Sequence, residues 1–233
     1  MKKILIILAL VCASVFCFAN DDEIDGHQKN GLSVMIGDMF YHSSNYHADS
    51  NSFDFAIGFW QSDEDGLFDI TESYYLGFNK GQIFNDGLNY QYPDTNIIFT
   101  QNTKYHNVFI KNSFGLQANL LCFSFGAMFG TKVGVEWLNS YGYAQVNNCN
   151  YSMTEFNIYA DFVPAVYCSL NLFNFMKISL LVDFELPFIK CRFITDEFIK
   201  NGNSTLAYEP VIDWKFFNGD VPVTYSVAVT LFF

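Results

Sequence analysis

The sequence predicts an all-β fold: an antiparallel up-and-down transmembrane β-barrel of about eight strands, with short periplasmic turns and long extracellular loops. Three observations carry that reading. Hydrophobic residues make up 51% of the chain and charged residues 15%, yet no run beyond the first residues is long and apolar enough for a membrane helix. From residue 31 onward, apolar and polar residues alternate with period two, which packs high apolar content onto one face of a strand. The last stretch keeps that alternation to its final residue. Val223, Tyr225, Val227, Val229, Leu231 and Phe233 are large and apolar, and Thr224, Ser226, Ala228, Thr230 and Phe232 between them are mostly small or hydroxylated.

The elements follow in order. Residues 1–19 read as a secretory signal peptide, with basic Lys2 and Lys3, an apolar run from Ile4 to Val11, and small residues up to Ala19. A lipid anchor on Cys12 or Cys17 is disfavoured, because bulky Val11 and Phe16 precede them. Residues 20–30 form a polar periplasmic leader, and 31–233 form one barrel domain. Strands are expected near 31–40, 52–61, 67–78, 103–120, 123–137, 153–170, 175–189 and 220–233. Short connections at 62–66, 121–122 and 171–174 alternate with long ones at 41–51, 79–102, 138–152 and 190–219, which are rich in Asn, Ser, Tyr, Gly and Asp. That alternation matches tight periplasmic turns and external loops. Segment 94–104 reads as an upward extension of a neighbouring strand, and strand length beyond the roughly 9–11 residues needed to cross a bilayer implies an extracellular β-rim.

Each strand sorts its side chains by face. On 52–61, Phe53, Phe55, Ile57 and Phe59 point out, while Asp54, Ala56 and Gly58 point in. On 175–189, Ile178, Leu180, Val182 and Phe184 oppose Lys177, Ser179, Asp183 and Glu185. A charge on the lipid face at mid-membrane costs about 2–4 kcal/mol, so charges collect on the inner face. The inner polar network is Asp54, Lys111, Lys132, Glu155, Asp161, Lys177, Asp183 and Glu185, with Gln117 and Glu136 beside it. In so narrow a barrel these residues fill and cross-link the interior; a conduction path or solute site is the alternative. Gly126, Gly130 and Gly134 fall on the inner face and make room for Tyr159 and Tyr167. Two residues fit badly. Glu72 lands on the apolar face, which calls for a β-bulge or a different placement of the strand, and Pro164 removes a ladder hydrogen bond in mid-strand. Aromatics gather in two girdles, Tyr41, Trp137, Tyr141, Tyr143, Tyr151 and Trp214 outside, and Phe123, Phe173, Phe175 and Phe232 on the periplasmic side.

Composition excludes several classes. The net charge is −12, and removing Lys2 and Lys3 leaves 10 basic against 24 acidic residues, or −14. An acidic chain with one arginine, Arg192, is no nucleic-acid binder. Four cysteines remain after cleavage, with no CxxC spacing and no histidine near them, so neither zinc nor another cofactor is expected. Cys149 and Cys191 both fall in expected outer loops and form the candidate disulfide; Cys122 and Cys168 read as lipid-facing hydrophobes. His42-Ser43-Ser44-Asn45 spells part of a lipid-modifying barrel enzyme's site, but no carboxylate partner can be assigned, and a polar loop explains it. The acidic turn Asp63-Glu64-Asp65 reads as a solvated turn rather than a calcium site.

With the leader, the alternating strands and the terminal Tyr225–Phe233 strand in place, the chain resembles small bacterial outer-membrane barrels of the OmpX/OmpW type. It is most similar to the OmpW-like barrels of spirochetes such as Treponema. The resemblance implies export to the bacterial outer membrane. It also implies that the barrel-assembly machinery reads Tyr225, Val227, Val229, Leu231 and Phe233. The implied role is non-enzymatic, with external loops meeting a ligand or host surface and small apolar solutes passing, as in OmpW-type proteins. Two alternatives stay open: a barrel enzyme acting on lipid through His42 and Ser44, and a secreted lipocalin-like barrel whose apolar rows line a cavity.

Overall fold

A computed structural model describes residues 28–43, 48–63, 67–91, 95–172, 175–206, 211–216 and 221–233. The strands in chain order are β1 (Gln28–Ser43), β2 (Ala48–Asp63), β3 (Phe68–Ile83), β4 (Asn89–Gln91), β5 (Asn96–Phe99), β6 (Thr103–Leu120), β7 (Phe123–Ala144), β8 (Cys149–Leu172), β9 (Met176–Phe184), β10 (Leu186–Lys200), β11 (Asn203–Leu206), β12 (Val211–Phe216) and β13 (Val223–Phe232). Eight of them close a ring, β1–β2–β3–β6–β7–β8–β9–β13, each antiparallel to its neighbours.

Closure fixes the tilt. From Gly37 the inner cross-strand row runs one way through Asp54, Asn79, Asn107 and Glu136 to Asn157 on β8. The other way it runs through Ser226 and Leu181 to Tyr167 on the same strand. The two ends differ by 167 − 157 = 10 residues, a stagger that tilts eight strands by about 40°. Every hydrogen-bonded row is therefore a ramp, not a level ring.

The outer face is apolar. On β7 the outward residues from Phe123 to Trp137 are apolar apart from Thr131, and the next one up is Asn139. At about 3.3 Å per residue and that tilt, the band stands about 35 Å tall, the height of a bilayer core with its interfaces. Its upper edge carries aromatics: Phe78, His106 and Trp137 stack in series at 6.2 and 6.1 Å, and Phe156 lies 6.1 Å from Phe193. The next outward row is Asn139, Thr154 and Thr195.

The strands outgrow that band on one side. The expected loop 138–152 is instead the paired top of β7 and β8 around a turn at 145–148. Within 79–102, β5 pairs with β7 and β4 with β5, so the upward extension read at 94–104 is present. In 190–219, β10 continues up beside β8 and pairs on its other edge with β11 and β12. Polar sequence misled the loop assignment because strands standing in water need no apolar face.

Other expectations shift with the register. Glu72 needs no bulge: β3 pairs without interruption, and Glu72 points outward and accepts a hydrogen bond from the Tyr74 hydroxyl at 3.2 Å. Pro164 sits where β8 changes partner, since Phe162 pairs with Leu186 of β10 and Ala165 with Asp183 of β9. A residue that cannot donate costs least where the ladder is already broken. Phe232 faces inward and is buried, as is Tyr151, so neither belongs to a girdle. The leader gives up Gln28, Lys29 and Asn30, which pair with β2 as the start of β1. The rest of the leader, the His42–Asn45 side chains, Glu64 and Asp65, and Phe173 lie outside the described residues or their described side chains.

Candidate functional site: the barrel interior and its outer mouth

The interior is layered. At the short-turn end it is filled by a cluster including Met35, Trp60, Tyr75, Met128, Tyr167, Leu181 and Phe232, all buried. Gly126 allows the packing, because a side chain there would collide with the Tyr167 ring. Gly134 makes the same room for Tyr159, whereas Gly130 lies against the backbone of Asn112 and Ser113. Trp60 meets Tyr167 edge-on at 5.2 Å, and the Lys177 ammonium caps both rings, 4.5 Å from Trp60 and 5.3 Å from Tyr167. Lys177 also donates to Gln117 at 2.9 Å, and the Tyr167 hydroxyl donates to the same oxygen at 2.9 Å. A lysine held by two rings and an amide is desolvated without exposing charge.

Above this floor lies a charged layer. Lys111 of β6 reaches across the lumen to Asp183 of β9 at 2.6 Å, and Lys132 of β7 reaches Glu185 at 2.5 Å. Glu185 sits at the break between β9 and β10 and also accepts from Thr224 at 3.2 Å. Lys132 lies 4.4 Å over the Phe109 ring and pairs across the ladder with Asp161. Asp54 completes the layer, only 2% exposed. Such pairs tie opposite walls together. Their net stabilisation is modest, but losing one partner is expensive.

The outer mouth carries a third set. Arg192 grips Glu155 through two hydrogen bonds, 2.9 and 2.8 Å, with Asp213 3.9 Å away. Lys190 pairs with Glu136 at 2.8 Å, and Asn157 donates to the same carboxylate oxygen at 3.0 Å. The Tyr151 hydroxyl donates to Asp196 at 2.8 Å higher still. Of the eight residues named from sequence, all eight are buried in the lumen. Lys190, Arg192 and Asp213 were missed because 190–219 read as loop, although Lys190, Arg192 and Ile194 alternate with Cys191 and Phe193.

The disulfide expectation is overturned. Cys149 and Cys191 are both free thiols. Cys191 pairs across the ladder with Ile158, nine residues along β8 from Cys149, a separation of about 30 Å. That odd offset also puts the two side chains on opposite faces of the wall. Among the described residues no three His, Cys, Asp or Glu side chains gather as a metal site.

No protein-family model and no curated protein sequence matches the chain. Solved structures do match. A major outer membrane protein from Thermus thermophilus is 12% identical, with 89% of this chain and all of that one covered at a TM-score of 0.50. The fold is that of a bacterial outer-membrane β-barrel. Together with the apolar outer band, it puts the protein in that membrane. This barrel is also similar to Ail, the attachment invasion locus protein of Yersinia pestis, at 7% identity and TM-score 0.45, covering 89% of this chain and 100% of that one. Neisserial surface protein A is 8% identical at TM-score 0.41, with 89% and 98% covered.

Proposed function

We propose that the protein is a non-enzymatic outer-membrane barrel that works at its extracellular rim, where it meets a ligand or host surface, rather than by conducting through its lumen. One observation carries this reading: the filled floor of Trp60, Tyr75, Tyr167 and Phe232 underlies strands that run past the apolar band into a tall paired rim. The buried floor supports contact at the rim over passage through the lumen, so uptake of small apolar solutes is the lesser part of the proposal. In the same reading the Tyr225–Phe233 strand is what the barrel-assembly machinery recognises.

Two measurements test it. Folded protein reconstituted in planar bilayers should give no single-channel currents, and liposomes carrying it should not swell in small-solute gradients; clear currents would overturn the closed-lumen reading. On intact cells, an Asn201→Cys variant at the tip between β10 and β11 should react with an impermeant maleimide. The native exposed Cys122, at a short turn, should react only after permeabilisation. The reverse pattern would put the rim on the wrong side of the membrane.

A further inference from the structure

Four buried acceptors without partners lie on one inner row. Oδ1 of Asp54, Asn79, Asn107 and Asn157 each lacks a hydrogen-bond partner. Residue exposures there are 2%, 0%, 6% and 0%. Asp54 pairs across the ladder with Asn79, Asn79 with Asn107, Asn107 with Glu136 and Glu136 with Asn157. The amide nitrogens are already committed, Asn79 to Ser52 at 3.1 Å, Asn107 to Tyr159 at 2.7 Å and Asn157 to Glu136 at 3.0 Å. Their carbonyl oxygens are what remains to face the lumen.

Because the row is a ramp, it climbs from Asp54 in the charged layer to Asn157 at the mouth. We propose that this row is a cation site: a hard alkali or alkaline-earth ion enters from outside and rests at Asp54, shared with the carbonyls of Asn79 and Asn107. Charge favours an ion over water alone. The layer's two lysines, Lys111 and Lys132, are bonded to Asp183 and Glu185, and they act on Asp54 without forming an ion pair with it. A buried carboxylate with no bonded partner otherwise takes up a proton; a cation lets it stay ionised, and a water molecule alone does not. Distance fits as well. Facing residues in a ladder stand about 4.5–5.5 Å apart, so neighbouring oxygens can share an ion with ligand distances of about 2.3–2.6 Å. Carboxylate and amide oxygens select hard ions, and the row has no sulfur or imidazole to attract softer ones.

The test is thermal unfolding of the folded, detergent-solubilised barrel, with N-methylglucamine as the reference cation and sodium, potassium, magnesium or calcium added singly. At least one ion should raise the melting temperature by about 3–5 °C at saturation. Equilibrium dialysis with a radioactive isotope of that ion should find one per barrel. Asp54→Asn, nearly the same shape, should abolish both signals. Asn79→Ala should weaken the midpoint about tenfold and serves if the first variant does not fold. Asp69→Asn, a buried carboxyl off this part of the row, should leave the response intact. Equal melting in all five cations, or an undiminished response in Asp54→Asn and Asn79→Ala, would overturn the site.

Discussion

The two halves of the lumen solve burial differently. At the short-turn end, aromatic rings and hydroxyls pack against each other, as where Tyr75 meets Ser33 at 2.8 Å and Thr230 donates to Ser33 at 3.0 Å. Toward the mouth, space is spanned by charges reaching across from opposite walls, with acceptors left over. The floor behaves like a soluble core turned inside a barrel, and the mouth like a cross-braced cup. The difference teaches where this barrel is packed and where it keeps polar groups without partners.

The sharpest way to break the comparison is to remove one brace. Lys111→Met leaves Asp183 buried without its counter-charge, and should cost about 3–5 kcal/mol in urea unfolding of the folded barrel. Lys111→Met with Asp183→Leu should recover most of that loss, because the pair's net worth is small. If the single change were harmless, the middle layer would be wet rather than braced. Next comes the floor. Trp60→Ala removes the largest fully buried side chain and half of the Lys177 cage, costing about 3–5 kcal/mol. It should also introduce single-channel currents in planar bilayers where the parent has none. Stability lost without conductance would mean that Tyr167 and Tyr75 seal the floor unaided.

A smaller effect belongs to the mouth. Arg192→Lys keeps the charge but loses the two-pronged grip on Glu155, and should cost about 1 kcal/mol in the same unfolding measurement. Arg192 is partly exposed, so solvent screens much of what remains. A loss as large as that of Lys111→Met would place the mouth in the same dry regime as the middle layer.

How much of this was legible follows the same division. Wherever lipid touches the wall, period two is enforced, and the sequence is explicit: β6 spans 103–120 as expected, and Phe53, Ile57 and Phe59 face out against buried Asp54 and Ala56. Above the band that constraint lapses. Asn139-Ser140-Tyr141-Gly142 reads as loop by composition and is held as strand by its ladder to β8 on one edge and by Lys104 and Phe99 on the other. Pairing across the lumen was not legible either. That Lys111 meets Asp183 depends on a stagger of ten residues, which no local pattern encodes. Glu155 is legible as an inward carboxylate, but its partner Arg192 is not, because the strand carrying it reads as loop by composition. The inward turn of Phe232 was hidden by its neighbour Phe233, which satisfies the same compositional cue on the opposite face.

The smallest predicted effect is also the strictest check on the rim. Cys149 faces inward at the start of β8, next to the tip of the β7–β8 hairpin; Cys191 faces outward between Ile158 and Trp214, level with the apolar band. A disulfide needs Cα atoms within about 7 Å. No small adjustment joins residues separated by nine positions and the thickness of the wall. Cys149→Ser and Cys191→Ser should therefore each shift the melting temperature by the same amount with and without reductant, because neither change breaks a disulfide. Thiol titration of the unreduced, unfolded protein should count both cysteines as free. A reducible band in gel electrophoresis, lost in either variant, would mean that β10 does not climb beside β8 in this register. The cup would then have a different wall from the one that positions Arg192 against Glu155.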